Sequence, residues 1–138
     1  MDEALLQLLD YEISILHRRA SLNRKIGELD RAAYLLLYQM SVLGKIGVKA
    51  LAEEFHLDVS TISRQTSALE EKGYVMRTPD PDDGRASYFE LTDLGREKLR
   101  DAQAYRMSRF KRIFEEWNDE DLQKFGHYMV RVNRTFID

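Results

Sequence analysis

One run of residues restricts the fold more than any other: Asp58 to Arg85, DVSTISRQTSALEEKGYVMRTPDPDDGR. At 3.6 residues per turn, Val59, Ile62, Thr66 and Leu69 share one stripe, while Ser60, Arg64 and Ser67 lie opposite, with Thr61 and Ala68 at the margin. The apolar side faces a core and the small polar side faces outward. Asp58 or Ser60 can cap the start, because a side-chain oxygen there satisfies amides that have no partner within the helix. Gly73 suits a left-handed exit. Upstream, Leu51, Ala52 and Phe55 recur at helical spacing, and His56-Leu57-Asp58 leaves only a tight connection between the two segments. Two short helices joined in this way make a helix-turn-helix.

Beyond Gly73, the stretches Tyr74 to Thr78 and Ala86 to Leu91 are apolar, β-branched and aromatic, and Pro79 to Gly84 supplies the backbone angles of a turn. A hairpin placed after a helix-turn-helix is a wing. The expected class is therefore mainly α with a small β-hairpin wing, a winged helix-turn-helix flanked by N- and C-terminal dimerisation helices.

Size and composition limit the alternatives. A chain of 138 residues suffices for a single domain with a real core, expected over 1–138, with a winged lobe at 30–91 and helices at 1–20 and 92–138. A third of the residues are charged, and the apolar share is ordinary for a soluble globular protein. With neither a long apolar run nor a basic, apolar leader, no membrane partner is expected and the expected location is the cytoplasm. The absence of cysteine removes disulfides, thiolate zinc sites and a cysteine nucleophile. His17, His56 and His127 lack ligand-like spacing, so no metal and no cofactor is expected. Without a Ser/His/Asp constellation or a phosphate-cradling glycine loop, an enzyme is not expected either.

The order S-T-I-S-R-x-x-x-x-L-E-x-K-G-Y-V-x-R, then D-P-D-D-G-R-A, then L-T-D-L-G, resembles the MarR (multiple antibiotic resistance regulator) family of bacterial transcription factors. The likeness is close from Val48 to about Gly95 and extends to the flanking helices by layout only. It implies that Ser60, Thr61, Ser63, Arg64 and Gln65 meet bases in the DNA major groove. It further implies that Arg85 at the wing reaches the neighbouring minor groove, with Asp83 holding it in place. The family pattern also implies a repressor released by a small aromatic or anionic effector. The cleft for that effector would draw on the first, second and long fifth helices, with His17, Arg18, Tyr38 and Arg106 as the candidates.

Those residue types suit the task. Hydroxyls and amides donate and accept at base edges, a guanidinium pairs at two points with guanine, and a narrow A·T-rich minor groove attracts arginine. Lys49, Lys72 and Arg77 are the candidate phosphate contacts, which position without specifying. A twofold dimer with these helices roughly 34 Å apart would read an inverted repeat in double-stranded DNA. Charge points the other way. The net charge is −3, and Lys45 to Leu91 carries six basic against nine acidic residues. A winged helix that binds protein and not DNA is the alternative this balance favours.

The remaining segments frame the lobe. Leu6, Leu9, Ile13, Leu16 and Ala20 form a stripe on a first helix from Asp2 to about Ala20, which ends in the basic cluster His17-Arg18-Arg19 and Arg24-Lys25. Ser21 to Leu29 reads as a loop, and Asp30 as the cap of a second helix, Arg31 to Leu43, apolar nearly all round and hence central. Thr92 is expected to cap a helix of about 24 residues, roughly 36 Å, longer than the core requires. Asn118 or Asp119 would cap the last helix, with Leu122, Phe125, Met129, Val132 and Phe136 as its stripe. The first and last helices are the expected subunit interface of a homodimer.

Overall fold

The computed structural model describes residues 1–22 and 25–135. It comprises two compact units, Met1–Tyr105 and Arg106–Asp138. In chain order the elements are α1 (Glu3–Leu22), β1 (Lys25–Ile26), β2 (Leu29–Asp30), α2 (Arg31–Leu43), β3 (Ile46–Gly47), α3 (Val48–Phe55), α4 (Val59–Glu71), β4 (Val75–Pro79), β5 (Ser87–Leu91), α5 (Asp93–Ile113) and α6 (Asp119–Thr135).

The first unit is built around α2. Asp30 caps it by accepting from the Ala33 amide at 2.8 Å, and Gly44, at φ +75°, ends it with its amide on the Met40 carbonyl. Ala33, Leu36, Leu37 and Met40 are buried among Ile26, Leu51, Ile62, Phe89 and Leu99. Only that face is covered. Leu35, Tyr38, Val42 and Leu43 stay exposed, so α2 is less enclosed than its all-round apolar character predicts. The helix meets β1, β2, β5 and α4.

Two short pairings escaped the sequence. The expected loop from Ser21 to Leu29 contains the β1–β2 hairpin, which turns at Gly27 (φ +65°) and buries Ile26 and Leu29. Strands of two residues carry no periodicity to read. Asn23 and Arg24, at the end of the basic cluster, lie outside the described residues. Likewise β3 adds a third strand to the wing, in the antiparallel order β3-β5-β4, with Ile46 opposite Phe89 and Phe89 opposite Arg77.

The helix-turn-helix forms as expected, with one correction. Ile62, Thr66 and Leu69 of α4 are buried, but Val59, placed on the same stripe, is 51% exposed and lines a surface groove. Thr66 tolerates burial because its hydroxyl donates to the Ile62 carbonyl at 2.9 Å. The turn depends on His56, the one non-glycine residue at positive φ (+52°) among those described. Replacing His56 with glycine should raise stability by about 0.5 to 1 kcal/mol, since glycine pays no steric cost there. A thermal melt that falls instead would show that the imidazole compensates for its backbone.

Thr92 fixes the start of α5 from two sides: its hydroxyl donates to the Gly73 carbonyl at 2.6 Å and accepts from the Gly95 amide at 3.0 Å. The helix runs 21 residues, to Ile113, somewhat short of the expected length.

The second unit carries an aromatic cluster, with Phe114 to Trp117 ring centroids 5.2 Å apart and Trp117 to Phe125 5.4 Å. Asn118 caps α6 through the Asp121 amide at 2.8 Å. No residue of α6 is buried, and Phe125, Met129 and Val132 of its apolar stripe are exposed; Phe136 lies outside the described residues. In the first unit, α1 likewise buries none of its own residues.

Candidate nucleic-acid interface

Of the two possible caps of α4, the fold uses Asp58. Its Oδ1 accepts from the Thr61 amide at 2.7 Å and from the Ser60 hydroxyl at 2.6 Å. These bonds, the Ser60 one first, hold the Asp58 carboxyl down at about 2; the nearby Arg64 guanidinium adds to them. Arg64 in turn donates from Nη2 to Thr61 Oγ1 at 3.3 Å. Ser60 and Arg64 are exposed, and Thr61, Ser63 and Gln65 are half-buried. The five expected reading residues thus occupy the open side and flanks of a helix whose other side is anchored in the core.

The wing is a ladder from Val75 opposite Leu91 to Pro79 opposite Ser87. Its turn is braced by short bonds: Asp80 amide to Ala86 carbonyl at 3.1 Å, Asp82 amide to Asp80 Oδ1 at 2.9 Å, and Arg85 amide to Asp83 Oδ1 at 3.0 Å. Asp83 therefore holds Arg85 by its backbone, which leaves the exposed guanidinium to extend from the turn. Asp80 also takes a hydrogen bond from Tyr88, which raises the phenol above its usual range.

Helix and wing face one another across a groove of about 630 Å³. Lys49, Ser63, Ser67, Arg77 and Arg85 line it above an apolar floor that includes Val48 and Phe89. Two of the three expected phosphate residues, Lys49 and Arg77, meet there. Arg77 is also committed elsewhere: it pairs with Glu70 at 3.3 Å and lies 5.0 Å from the centre of the Phe89 ring. Lys72 is exposed at the C-terminal cap of α4 and does not line the groove. Ser67 was given no role from sequence, although its spacing from Ser60 and Arg64 puts it on their face. Glu53 and Asp80, also in the lining, add negative charge beside the cations.

The candidate effector residues are distributed more widely. His17 and Arg18 are exposed on α1, and Tyr38 is exposed on α2 with its ring stacked 6.4 Å from that of Tyr34. Arg106 belongs to the second unit, where its guanidinium lies 5.1 Å from the Phe110 ring centre. No helix is long and apolar enough to cross a membrane among the described residues, and no group of His, Asp or Glu there could hold a metal ion.

Comparison with known proteins agrees with this architecture. Residues 29–87 match the MarR family pattern. The chain is 41% identical over 136 residues to the uncharacterized HTH-type transcriptional regulator YxaD of Bacillus subtilis (strain 168), covering 96% of this chain and 95% of that one. A MarR mutant from E. coli solved with operator DNA shares the fold with a TM-score of 0.76 at 18% identity, over 90% of this chain and 92% of that one. PcaV from Streptomyces coelicolor, solved with its natural ligand, does so with a TM-score of 0.74 at 22% identity, over 92% and 90%. A winged helix-turn-helix with this sequence order, matched along nearly its whole length by an HTH-type regulator, is a regulator and not an enzyme: the chain belongs to the MarR family of transcriptional regulators.

Proposed function

We propose that this protein is a sequence-specific reader of double-stranded DNA that acts as a homodimer, with α4 in the major groove and Arg85 in the adjoining minor groove. The observation that carries the reading is that Ser63 and Ser67 of α4 and Arg85 of the wing line one groove, with Ser60 and Arg64 exposed on the same helix outside it. A DNA strand seated in it would pass Lys49 and Arg77. The uncovered apolar faces of α1 and of α6 support a second copy as the partner, in keeping with the dimerisation helices expected at 1–20 and 92–138. A twofold pair selects an inverted repeat.

Binding to promoter fragments, followed by electrophoretic shift, tests the assignment. Arg64→Ala and Arg85→Ala should each weaken specific binding about 10- to 100-fold, because each removes a guanidinium aimed at a base edge or groove. Unchanged binding in both variants would favour the alternative, a protein-binding winged helix, which the acidic Glu53 and Asp80 beside the groove would suit.

The regulator would act as a repressor in the cytoplasm, released by a small aromatic or anionic molecule; His17, Arg18 and Tyr38 of the first unit are candidate contacts, and Arg106 of the second is a separate one. The ligand-bound PcaV structure supports this by analogy. Any such ligand must prefer the DNA-incompetent spacing, and operator DNA must weaken its binding by the same factor. Addition of saturating operator should therefore lower ligand affinity.

A further inference from the structure

We propose that Asp58 sets the hydrogen-bond polarity of the base-reading face, so that Ser60 selects a base-edge donor, adenine N6 or cytosine N4, beside the guanine taken by Arg64. The inference rests on the DNA-binding reading above and adds which base edges the helix accepts.

A serine hydroxyl has one proton and two lone pairs, and an uncommitted serine reads donors and acceptors alike. Ser60 is committed. Its proton lies on Asp58 Oδ1 at 2.6 Å, a charge-assisted bond, stronger than one between neutral groups. Thr61 is bonded to the same carboxylate through its amide, at 2.7 Å, while its Oγ1 receives Arg64 Nη2 at 3.3 Å. The Ser60 hydroxyl and the Thr61 amide both donate to Asp58, and Arg64 donates to the Thr61 hydroxyl oxygen.

What remains for a base is correspondingly sorted. Ser60 offers lone pairs, and Arg64 keeps the donors of its guanidinium that Thr61 does not use. Guanine O6 and N7, or thymine O4, placed against Ser60 would have to draw its proton from a carboxylate; adenine N6 or cytosine N4 would not. The same carboxylate repels phosphate, so this end of α4 turns to base edges and not to the backbone.

Selection by the full-length protein from a pool of randomised duplexes tests the proposal, run in parallel for the native chain, Ser60→Ala, Asp58→Ser and Arg64→Ala. Asp58→Ser retains a good helix cap but has no carboxylate to hold the Ser60 proton. Ser60→Ala removes only the hydroxyl and leaves the cap. The native protein should show one half-site position that separates adenine and cytosine from guanine and thymine by roughly fivefold or more. That position should adjoin a guanine whose selection Arg64→Ala abolishes. In both Ser60→Ala and Asp58→Ser the discrimination should collapse while the other positions keep their preferences. A uniform loss of affinity with every preference unchanged in those two variants would overturn the role given to Asp58 and leave the DNA reading intact. A native chain that selects no sequence would overturn the DNA reading itself, and this inference with it.

Discussion

Gly95→Ala should strongly destabilise the first unit. A Cβ built on Gly95 would stand 2.0 Å from the Tyr74 carbonyl oxygen and 2.9 Å from its carbon, where both partners are backbone and neither can rotate away. The carbonyl is also held in place: it accepts the Thr92 amide at 3.1 Å, and Thr92 grips Gly73 and Gly95 through its hydroxyl. Relieving the clash means separating α5 from Tyr74, in the connection between α4 and β4, and breaking those bonds. The expected cost is about 3 kcal/mol or more, the upper range for overpacking with added backbone strain. For a chain of this size that lowers the midpoint of thermal unfolding by roughly 10 °C. Gly84→Ala is the matched control. Gly84 lies in the wing turn without a left-handed φ, and nothing approaches its Cβ position within 4 Å, so its melt should barely move. A Gly95→Ala melt as close to native as that of Gly84→Ala would show that α5 is not seated on Tyr74 as described.

The contrast between these two glycines marks what the sequence could and could not reveal. Both belong to segments that stood out as motifs, D-P-D-D-G-R-A and L-T-D-L-G, yet only contact with a residue far back in the chain, Tyr74, distinguishes a required glycine from a permitted one. Local signals were legible. Caps at Asp30, Asp58 and Asn118, the stripe Ile62-Thr66-Leu69 and the Gly73 exit follow from helix chemistry confined to a few neighbours, and each appears where expected. The β1–β2 hairpin and β3 were not legible, because strands of two residues are fixed by partners outside them: Ile46 by Phe89, and Ile26 and Leu29 by burial in the core. For the same reason, composition could name Arg77 as a cation near DNA but not foresee its pairing with Glu70 and Phe89. Asp58 was visible as a cap. Its grip on the Ser60 proton depends on an angle that only coordinates supply.

Phe89→Ala should have an effect of similar size by a different route. The ring is 1% exposed and is the largest fully buried side chain among the described residues, set on β5 between Ile46 of β3 and Arg77 of β4. Removing it empties a space that these neighbours cannot refill without breaking the ladder, so the loss should reach about 3 to 5 kcal/mol in chemical denaturation. Phe89→Leu, which keeps much of the volume, should cost considerably less. The same ring supports the Arg77 guanidinium and forms part of the floor of the groove between α4 and the wing. Under conditions where Phe89→Leu remains folded, its DNA affinity should therefore fall further than its stability alone accounts for, because the wing loses the platform that sets its distance from α4. Equal and small losses for both substitutions would mean that the sheet can relax around position 89. In that event the spacing of Arg64 and Arg85 would have to be set by the turn bonds of Asp80 and Asp83.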